Sequence, residues 1–295
     1  MIDGGWGRVR AARGALVALA VAAAGASGAR AQEADSLVRS VGGEVAVSVS
    51  AREADLTFVA GRPDRLVVRG ERDVLGQVRL EGEGNRVVIR TRDADGDLEI
   101  RVPAGAGLHV RTRAGDVVVR GLIGEVELES SEGDLRVEGG PRRLDIEGLS
   151  GDVSVDGSPP DLRISTVAGD VTVRGATGHV AVRSASGDVE VTGDGVSDGS
   201  FSASSGDVSF RGRPARDATL EFQAASGDVD VTLPDDVGAT YEVTTVGGDL
   251  VTDRKARLLG AQHFGGGRQY RLSVGDGSVH VTVQAVSGTV RIGRP

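Results

Sequence analysis

The stretch Leu162-Arg163-Ile164-Ser165-Thr166-Val167-Ala168-Gly169-Asp170-Val171-Thr172-Val173 decides the fold. Leu162 and Ile164 before the Gly-Asp pair, and Val171 and Val173 after it, alternate with polar neighbours. Alternation with period two and a preference for Val mark half-buried strands, and Gly followed by Asp marks a tight turn between them. The same pair recurs at Gly115-Asp116, Gly133-Asp134, Gly151-Asp152, Gly187-Asp188, Gly206-Asp207 and Gly227-Asp228. Outlying copies stand at Gly96-Asp97 and Gly248-Asp249, and Gly288-Thr289 closes the series. From Gly115 to Gly187 every step is 18 residues, and the later steps are 19, 21, 21 and 40. The last gap has room for one degenerate unit plus an insertion.

Aligned on the Gly, the units form columns. Two residues after it stand Val117, Leu135, Val153, Val171, Val189, Val208, Val229, Leu250 and Val290. Five before it stand Val110, Leu128, Ile146, Ile164, Val182, Phe201, Phe222, Val243 and Val283. One such unit cannot bury its own apolar face, so neighbours must stack to share a core. Two stackings satisfy the alternation. In a β-solenoid, each unit is one coil and equivalent strands pair in parallel ladders about 4.8 Å apart. In an antiparallel β-meander or sandwich, each Gly-Asp pair is the centre of a hairpin. The constant spacing favours the solenoid, as does the mostly small column of Ala114, Glu132, Ser150, Ala168, Ser186, Ser205, Ser226, Gly247 and Ser287 just before the Gly. The fold class expected is therefore all-β, a β-solenoid of 18–21-residue repeats, with the meander or sandwich as alternative.

Outward from this core the pattern loosens. Residues 106–295 carry the repeat, and residues 41–105 read as less regular strands that continue the same domain and cap its first coil. Residues 253–269 read as an insertion loop, and 32–40 as a loose N-terminal tail. In residues 1–31, Arg8, Arg10 and Arg13 precede the apolar run from Ala15 to Ala24, and Ala29-Arg30-Ala31 supplies small residues for cleavage. That is the layout of a secretory signal, and its apolar run is short of the roughly 20 residues of a membrane span. The expectation is an exported mature chain with no transmembrane anchor, in the periplasm, secreted or at the cell surface.

Composition narrows the chemistry. The 295 residues contain no Cys, which removes disulfides, thiolate metal sites, cysteine nucleophiles and lipidated cysteines. The net charge of −9 becomes −12 without the four Arg and one Asp of residues 1–31, and no basic stripe interrupts it. Nucleic acid is thereby excluded as a partner. Aromatics are 3% of the chain, and the single Trp, Trp6, lies in the signal segment. A β-helix polysaccharide lyase or hydrolase, the enzyme class compatible with such a fold, would want more rings to stack sugars.

Asp116, Asp134, Asp152, Asp170, Asp188, Asp207 and Asp228 form the most tempting ladder. Calcium takes six to eight oxygens, and a β-roll needs acidic turns on both sides of the coil, whereas only one turn per unit carries Asp here. The turn reading, in which Asp bonds nearby backbone amides, is preferred. Asp93-Ala94-Asp95-Gly96-Asp97 begins like an EF-hand loop but has Leu98 where Gly is required. Gly195-Val196-Ser197-Asp198-Gly199 matches the nucleophile-elbow pattern but lies in a Gly/Ser/Asp loop with no helix following. His109, His179, His263 and His280 show no metal-ligand spacing, and His109 and His179 fall at outward strand positions. No catalytic, cofactor or metal residues are expected.

The Ser-Gly-Asp-Val stretches at 150–153, 186–189, 205–208 and 226–229 resemble the bacterial "putative adhesin" family of unknown function, whose members carry β-strand repeats. So do Leu98-Glu99-Ile100-Arg101-Val102-Pro103, Val229-Asp230-Val231-Thr232-Leu233-Pro234 and the closing strand Val290-Arg291-Ile292. The resemblance covers most of residues 41–295 and brings no catalytic residues with it. It implies an envelope-associated or secreted β-repeat protein. The function expected is non-enzymatic binding or scaffolding at the cell envelope, toward an unknown envelope protein or surface glycan. A periplasmic envelope-stress sensor is the alternative.

Overall fold

The computed structural model describes residues 35–42, 44–91, 96–264 and 267–295. The signal segment at 1–31 lies outside the described residues, and so do Asp93 and Asp95. In chain order the first strands are β1 (Asp35–Ser40), β2 (Ala46–Glu53), β3 (Asp55–Gly61) and β4 (Arg65–Gly70). Helix α1 (Arg72–Gly76) follows, then β5 (Val78–Glu81), β6 (Arg86–Thr91) and β7 (Asp97–Pro103). The regular region comes as pairs across each Gly-Asp turn: β8 (Gly107–Ala114) with β9 (Val117–Arg120), and β10 (Glu125–Glu132) with β11 (Leu135–Glu138). Next come β12 (Arg143–Ser150) with β13 (Val153–Asp156), and β14 (Asp161–Ala168) with β15 (Val171–Arg174). Then come β16 (Gly178–Ser186) with β17 (Val189–Asp194), β18 (Val196–Ser205) with β19 (Val208–Arg213), and β20 (Thr219–Ser226) with β21 (Val229–Thr232). The chain finishes with β22 (Ala239–Thr245), β23 (Leu250–Thr252), β24 (Arg257–Phe264), β25 (Gly267–Val274), β26 (Val279–Ser287) and β27 (Val290–Gly293).

The two strands flanking each turn do not pair with one another. Each pairs in parallel with its equivalents in neighbouring coils. Ile164 stands opposite Ile146 and Val182, and Val171 opposite Val153 and Val189. This is the solenoid, and it displaces the antiparallel meander. The strands before the turns build a 14-stranded sheet and those after them a 13-stranded sheet. Their inward Val, Leu, Ile and Phe side chains meet in one continuous core.

Glycine is demanded twice over at the turn. Gly169 has φ +118°, a conformation that side chains disfavour. A Cβ there would also lie 2.1 Å from the carbonyl oxygen of Gly151 in the coil below. Elsewhere a glycine compensates for bulk. Phe201, Phe210 and Phe222 pack with centroids 5.1 to 6.2 Å apart, and a Cβ at Gly199 would come within 2.7 Å of the Phe201 ring.

Three segments depart from the sequence expectation. Residues 35–40, expected as loose tail, form β1, which pairs antiparallel with β4 through all six residues. The apolar Leu37 and Val38 and a free sheet edge are enough to recruit it. Residues 253–269, expected as a loop, contain β24 and the start of β25, an antiparallel hairpin that extends the larger sheet. The segment 195–199, expected as a loop, is mostly strand. Ser197 sits on β18 at the shift of register between Gly178 and His179, where one extra residue is absorbed. A strand follows it, not a helix, so it makes no nucleophile elbow.

At both ends the spatial order leaves the chain order. The first coil, β2 with β3, lies between the β6–β7 coil and the β8–β9 coil. The last coil, β26 with β27, lies between the β20–β21 coil and the β22–β23 coil. Helix α1 buries Val74 and Leu75 at the first end. At the other end the buried guanidinium of Arg254 donates to the carbonyls of Leu233, Pro234 and Val237 and to the Tyr241 hydroxyl, at 3.0 to 3.4 Å.

Candidate functional site

The Asp ladder comes first, because it is the constellation most visible in the sequence. The backbone N–H of Asp134 donates to Oδ1 of Asp116 at 2.8 Å, and the same bond links Asp152 to Asp134, Asp170 to Asp152 and Asp188 to Asp170. It continues through Asp207 and Asp228 to the N–H of Thr289 and begins at Asp55 below Asp116. Each carboxylate thus holds the turn of the coil above it. Gly115, Gly133, Gly151, Gly169, Gly187, Gly206 and Gly227 all have positive φ and complete the same turns. At Asp228 the Thr289 amide and then Arg291 hold the carboxyl below the usual carboxylate range.

The outer face of the larger sheet is different. Parallel pairing lines up residues 18 apart, so β8, β10 and β12 place His109, Glu127 and Asp145 in one column and Arg111, Glu129 and Glu147 in the next. Two adjoining hollows open there. The first, of about 410 Å³, is floored where the column drops to Ala46 and Gly107 and is rimmed by Arg86, His109, Glu125, Glu127 and Arg143. A Cβ at Gly107 would meet nothing within 4 Å, so the hollow is a missing side chain and not a demand of the backbone. The second, of about 520 Å³, opens at Gly148 beside Arg111, Glu129, Glu147 and the exposed Leu149 and Val167. Neighbouring coils fill the column of Gly148 with Thr112, Ser130 and Thr166, whose hydroxyls donate to the carbonyls of Ala114, Glu132 and Ala168.

Charges on this face are partly paired. Arg111 donates from Nε and Nη2 to the two carboxylate oxygens of Glu129, at 2.7 and 2.9 Å. Those bonds hold the Glu129 carboxyl below its ordinary range and raise the Arg111 guanidinium. Nδ1 of His109 stands 2.8 Å from Oε2 of Glu127. The ligating atoms of His109, Glu127 and Glu129 all lie within 4.8 Å of one another. Reading the histidines for motif spacing missed this group. Adding the repeat length to 109 reaches 127, and that sum was the available signal. His179 approaches Asp198 only at 3.7 Å with both side chains exposed, and His280 pairs on the backbone with Thr219 and Thr240. His263 lies on β24, the edge strand at the far end of the larger sheet.

Two parallel sheets closed by Gly-Asp corners, with function left to their outer faces, define a β-solenoid repeat protein. The Toastrack DUF4097 family model matches residues 87–293, and the chain belongs to that family. Among solved structures the chain is similar to a "putative lipid binding protein" from Parabacteroides distasonis, at 12% identity and TM-score 0.36, covering 89% of this chain and 96% of that one. It is also similar to a "putative adhesin" from the same organism, at 10% identity and TM-score 0.31, covering 88% and 97%. A "putative cell adhesion protein" from Clostridium sporogenes matches at 8% identity and TM-score 0.23, over 89% and 100%. No curated protein matches the chain. Among the described residues no helix is long and apolar enough to cross a membrane.

Proposed function

We propose that the protein is exported and serves at the cell envelope as a non-enzymatic, adhesin-like binding or scaffolding protein. Its docking surface is the outer face of the larger sheet from β6 to β14, and its partner is an envelope protein. The observation that carries this is the pair of adjoining open hollows, the first floored by the small Ala46 and Gly107, and both rimmed by interleaved Arg and acidic side chains. Alternating charges on a fixed lattice select a partner by complementarity and make its association salt-dependent. Among the described residues neither hollow is lined by Phe, Tyr or Trp, which favours a protein over a glycan. The signal-like layout of residues 1–31 supports export.

A photo-crosslinker at Ser48 or Ser165, beside the two hollows, tests the reading in envelope fractions. One protein should be captured, less at high salt, and Glu147→Arg should abolish capture. Capture that survives the reversal overturns the docking face. Retention on a glycan panel instead of proteins overturns the partner class. New reducing ends from any polysaccharide overturn the non-enzymatic role. The same capture decides between a structural partner and a membrane-bound stress sensor.

A further inference from the structure

We infer that the free edge of β24 is a docking strip for a short extended segment rich in acidic side chains, which adds to the larger sheet as a further strand. The strip lies at the far end of that sheet and does not depend on the docking face proposed above. Beyond the last coil, β22 with β23, the larger sheet continues through β25 and β24, whereas the smaller sheet stops at β23. The smaller sheet therefore supplies no strand to face β24. The consequence runs along the strand, where residues 257–262 are all exposed. Leu258 is 57% exposed even though it pairs with the buried Leu272.

The backbone of β24 is open on one side. It pairs with β25, and among the described residues no strand pairs with its other edge. Natural sheet edges are blunted by shortness or by charge. The other three edges here fit that rule: β5 has four residues with Arg79 and Glu81, β23 has three residues, and β1 carries Asp35 and Arg39. β24 has eight residues, and Arg257 is the only Arg, Lys, Asp or Glu among them. Four of the nine large apolar side chains exposed among the described residues, Val246, Val251, Leu258 and Leu259, belong to the last coil and this hairpin.

Charge identifies the occupant. From Arg254 to Gly275 stand four Arg, one Lys and no Asp or Glu, the longest acid-free stretch after Glu33. Arg268 pairs with Asp249 at 3.4 Å and Arg271 with Glu242 at 3.1 Å, and Arg254 donates to interior carbonyls. Lys255 and Arg257 are exposed, and among the described residues neither has an ion-pair partner. A strand laid along this edge meets both cations at the start of β24. Acidic side chains on it neutralise them, and its main chain takes up the open amides and carbonyls. A second copy pairing through β24 would add two more cations and no acid. A bilayer would leave the open backbone groups without hydrogen bonds. A folded acidic partner would meet the net negative charge of the rest of this chain, which a short segment confined to one end avoids.

The test is fluorescence anisotropy of a labelled eight-residue peptide alternating Glu with Val, titrated with the purified full chain. Saturable binding is expected, weakened by salt, and at least about tenfold weaker for the peptide alternating Lys with Val. A Pro in the middle of the Glu-Val peptide should weaken it similarly, because it removes a ladder donor. Lys255→Glu combined with Arg257→Glu should reverse the preference between the two peptides, and Glu147→Arg, on the docking face, should change nothing. Hydrogen exchange of the amides of residues 257–262 should slow when the Glu-Val peptide is bound. Thermal melts check that each variant folds. No binding, equal binding of the Glu and Lys peptides, loss of binding in Glu147→Arg, or unchanged exchange at 257–262 would each overturn the strip. So would protection of 257–262 that rises with protein concentration alone, which marks a second copy, or retention on phosphatidylglycerol vesicles that the double variant abolishes.

Discussion

The seven coils from Gly107 to Thr232 and the two ends of the stack obey different rules. In the middle each coil lies on the one before it, and chain order and spatial order coincide. At the ends they part, because the first coil and the last coil are each enclosed between two others. A solenoid that simply stopped would expose a row of unpaired backbone groups and the bare interior of its last coil. Here three of the four sheet edges are antiparallel additions, β5 on β6 and β1 with β4 on β7 at one end and β24 with β25 on β22 at the other, while β23 closes the fourth in parallel with β27. Repetition propagates the core, and a break in repetition closes it.

That contrast can be broken most forcefully from the C-terminus. Removing residues 279–295 takes out β26 and β27 and leaves the β22–β23 coil with no pairing to β20 and β21. The expected outcome is loss of the cooperative transition for the whole C-terminal third, seen as protease cleavage within 219–278. A cleavage pattern like that of the intact chain would mean that the coils beyond Thr219 stack without their enclosed member. Next in size is a charge in a middle coil. Val171 is fully buried, so Val171→Asp should cost several kcal/mol, a large part of a domain's roughly 5–15 kcal/mol. The outward neighbour Thr172→Asp should stay within about 0.5 kcal/mol in the same thermal melts. Equal tolerance at the two positions would contradict the register of the repeat.

The end cap comes third. Arg254→Ala leaves the carbonyls of Leu233, Pro234 and Val237 without their buried donor, at an expected cost of about 2–3 kcal/mol. Removing the guanidinium also removes what opposes burial at Tyr241, whose hydroxyl burial already pushes above its usual value. A spectroscopic titration of that tyrosine should therefore move further upward in the variant. Fourth, Asp170→Ala deletes the acceptor for the Asp188 amide and should cost about 1 kcal/mol in denaturant unfolding, with Asp170→Asn recovering most of it. No loss in the Ala variant would mean that the ladder decorates the turn without holding it.

The smallest effect is electrostatic. The folded-state carboxyl of Asp228 is depressed, so its contribution is fully present above the ordinary carboxylate range and is lost as pH falls through the folded value. Melts between neutral pH and strongly acidic pH should therefore decline slightly less in Asp228→Asn than in the unaltered chain. An identical decline would show that the Thr289 amide and Arg291 do not act on this group as the geometry indicates.

Alternation around Gly169-Asp170 and the constant step of 18 residues are enough to establish strands, turns, an inward set and stacked coils. These are local properties: side chains alternate by the geometry of one strand, and only glycine fits a corner that closes on the backbone of the coil below. The same spacing, carried onto the outward positions, also contains the column of His109, Glu127 and Asp145. Which way the ends close is not local. Whether Asp35–Ser40 trails or pairs depends on the free edge of β4, 25 or more residues away. The β24–β25 hairpin exists because β22 offers an edge to receive it. Nothing in the last 17 residues marks them for insertion between two earlier coils, since every coil of this repeat presents the same alternation and could pair with any other. Tertiary structure settles that choice, because only the assembled stack has ends, and only ends carry unpaired backbone that must be covered.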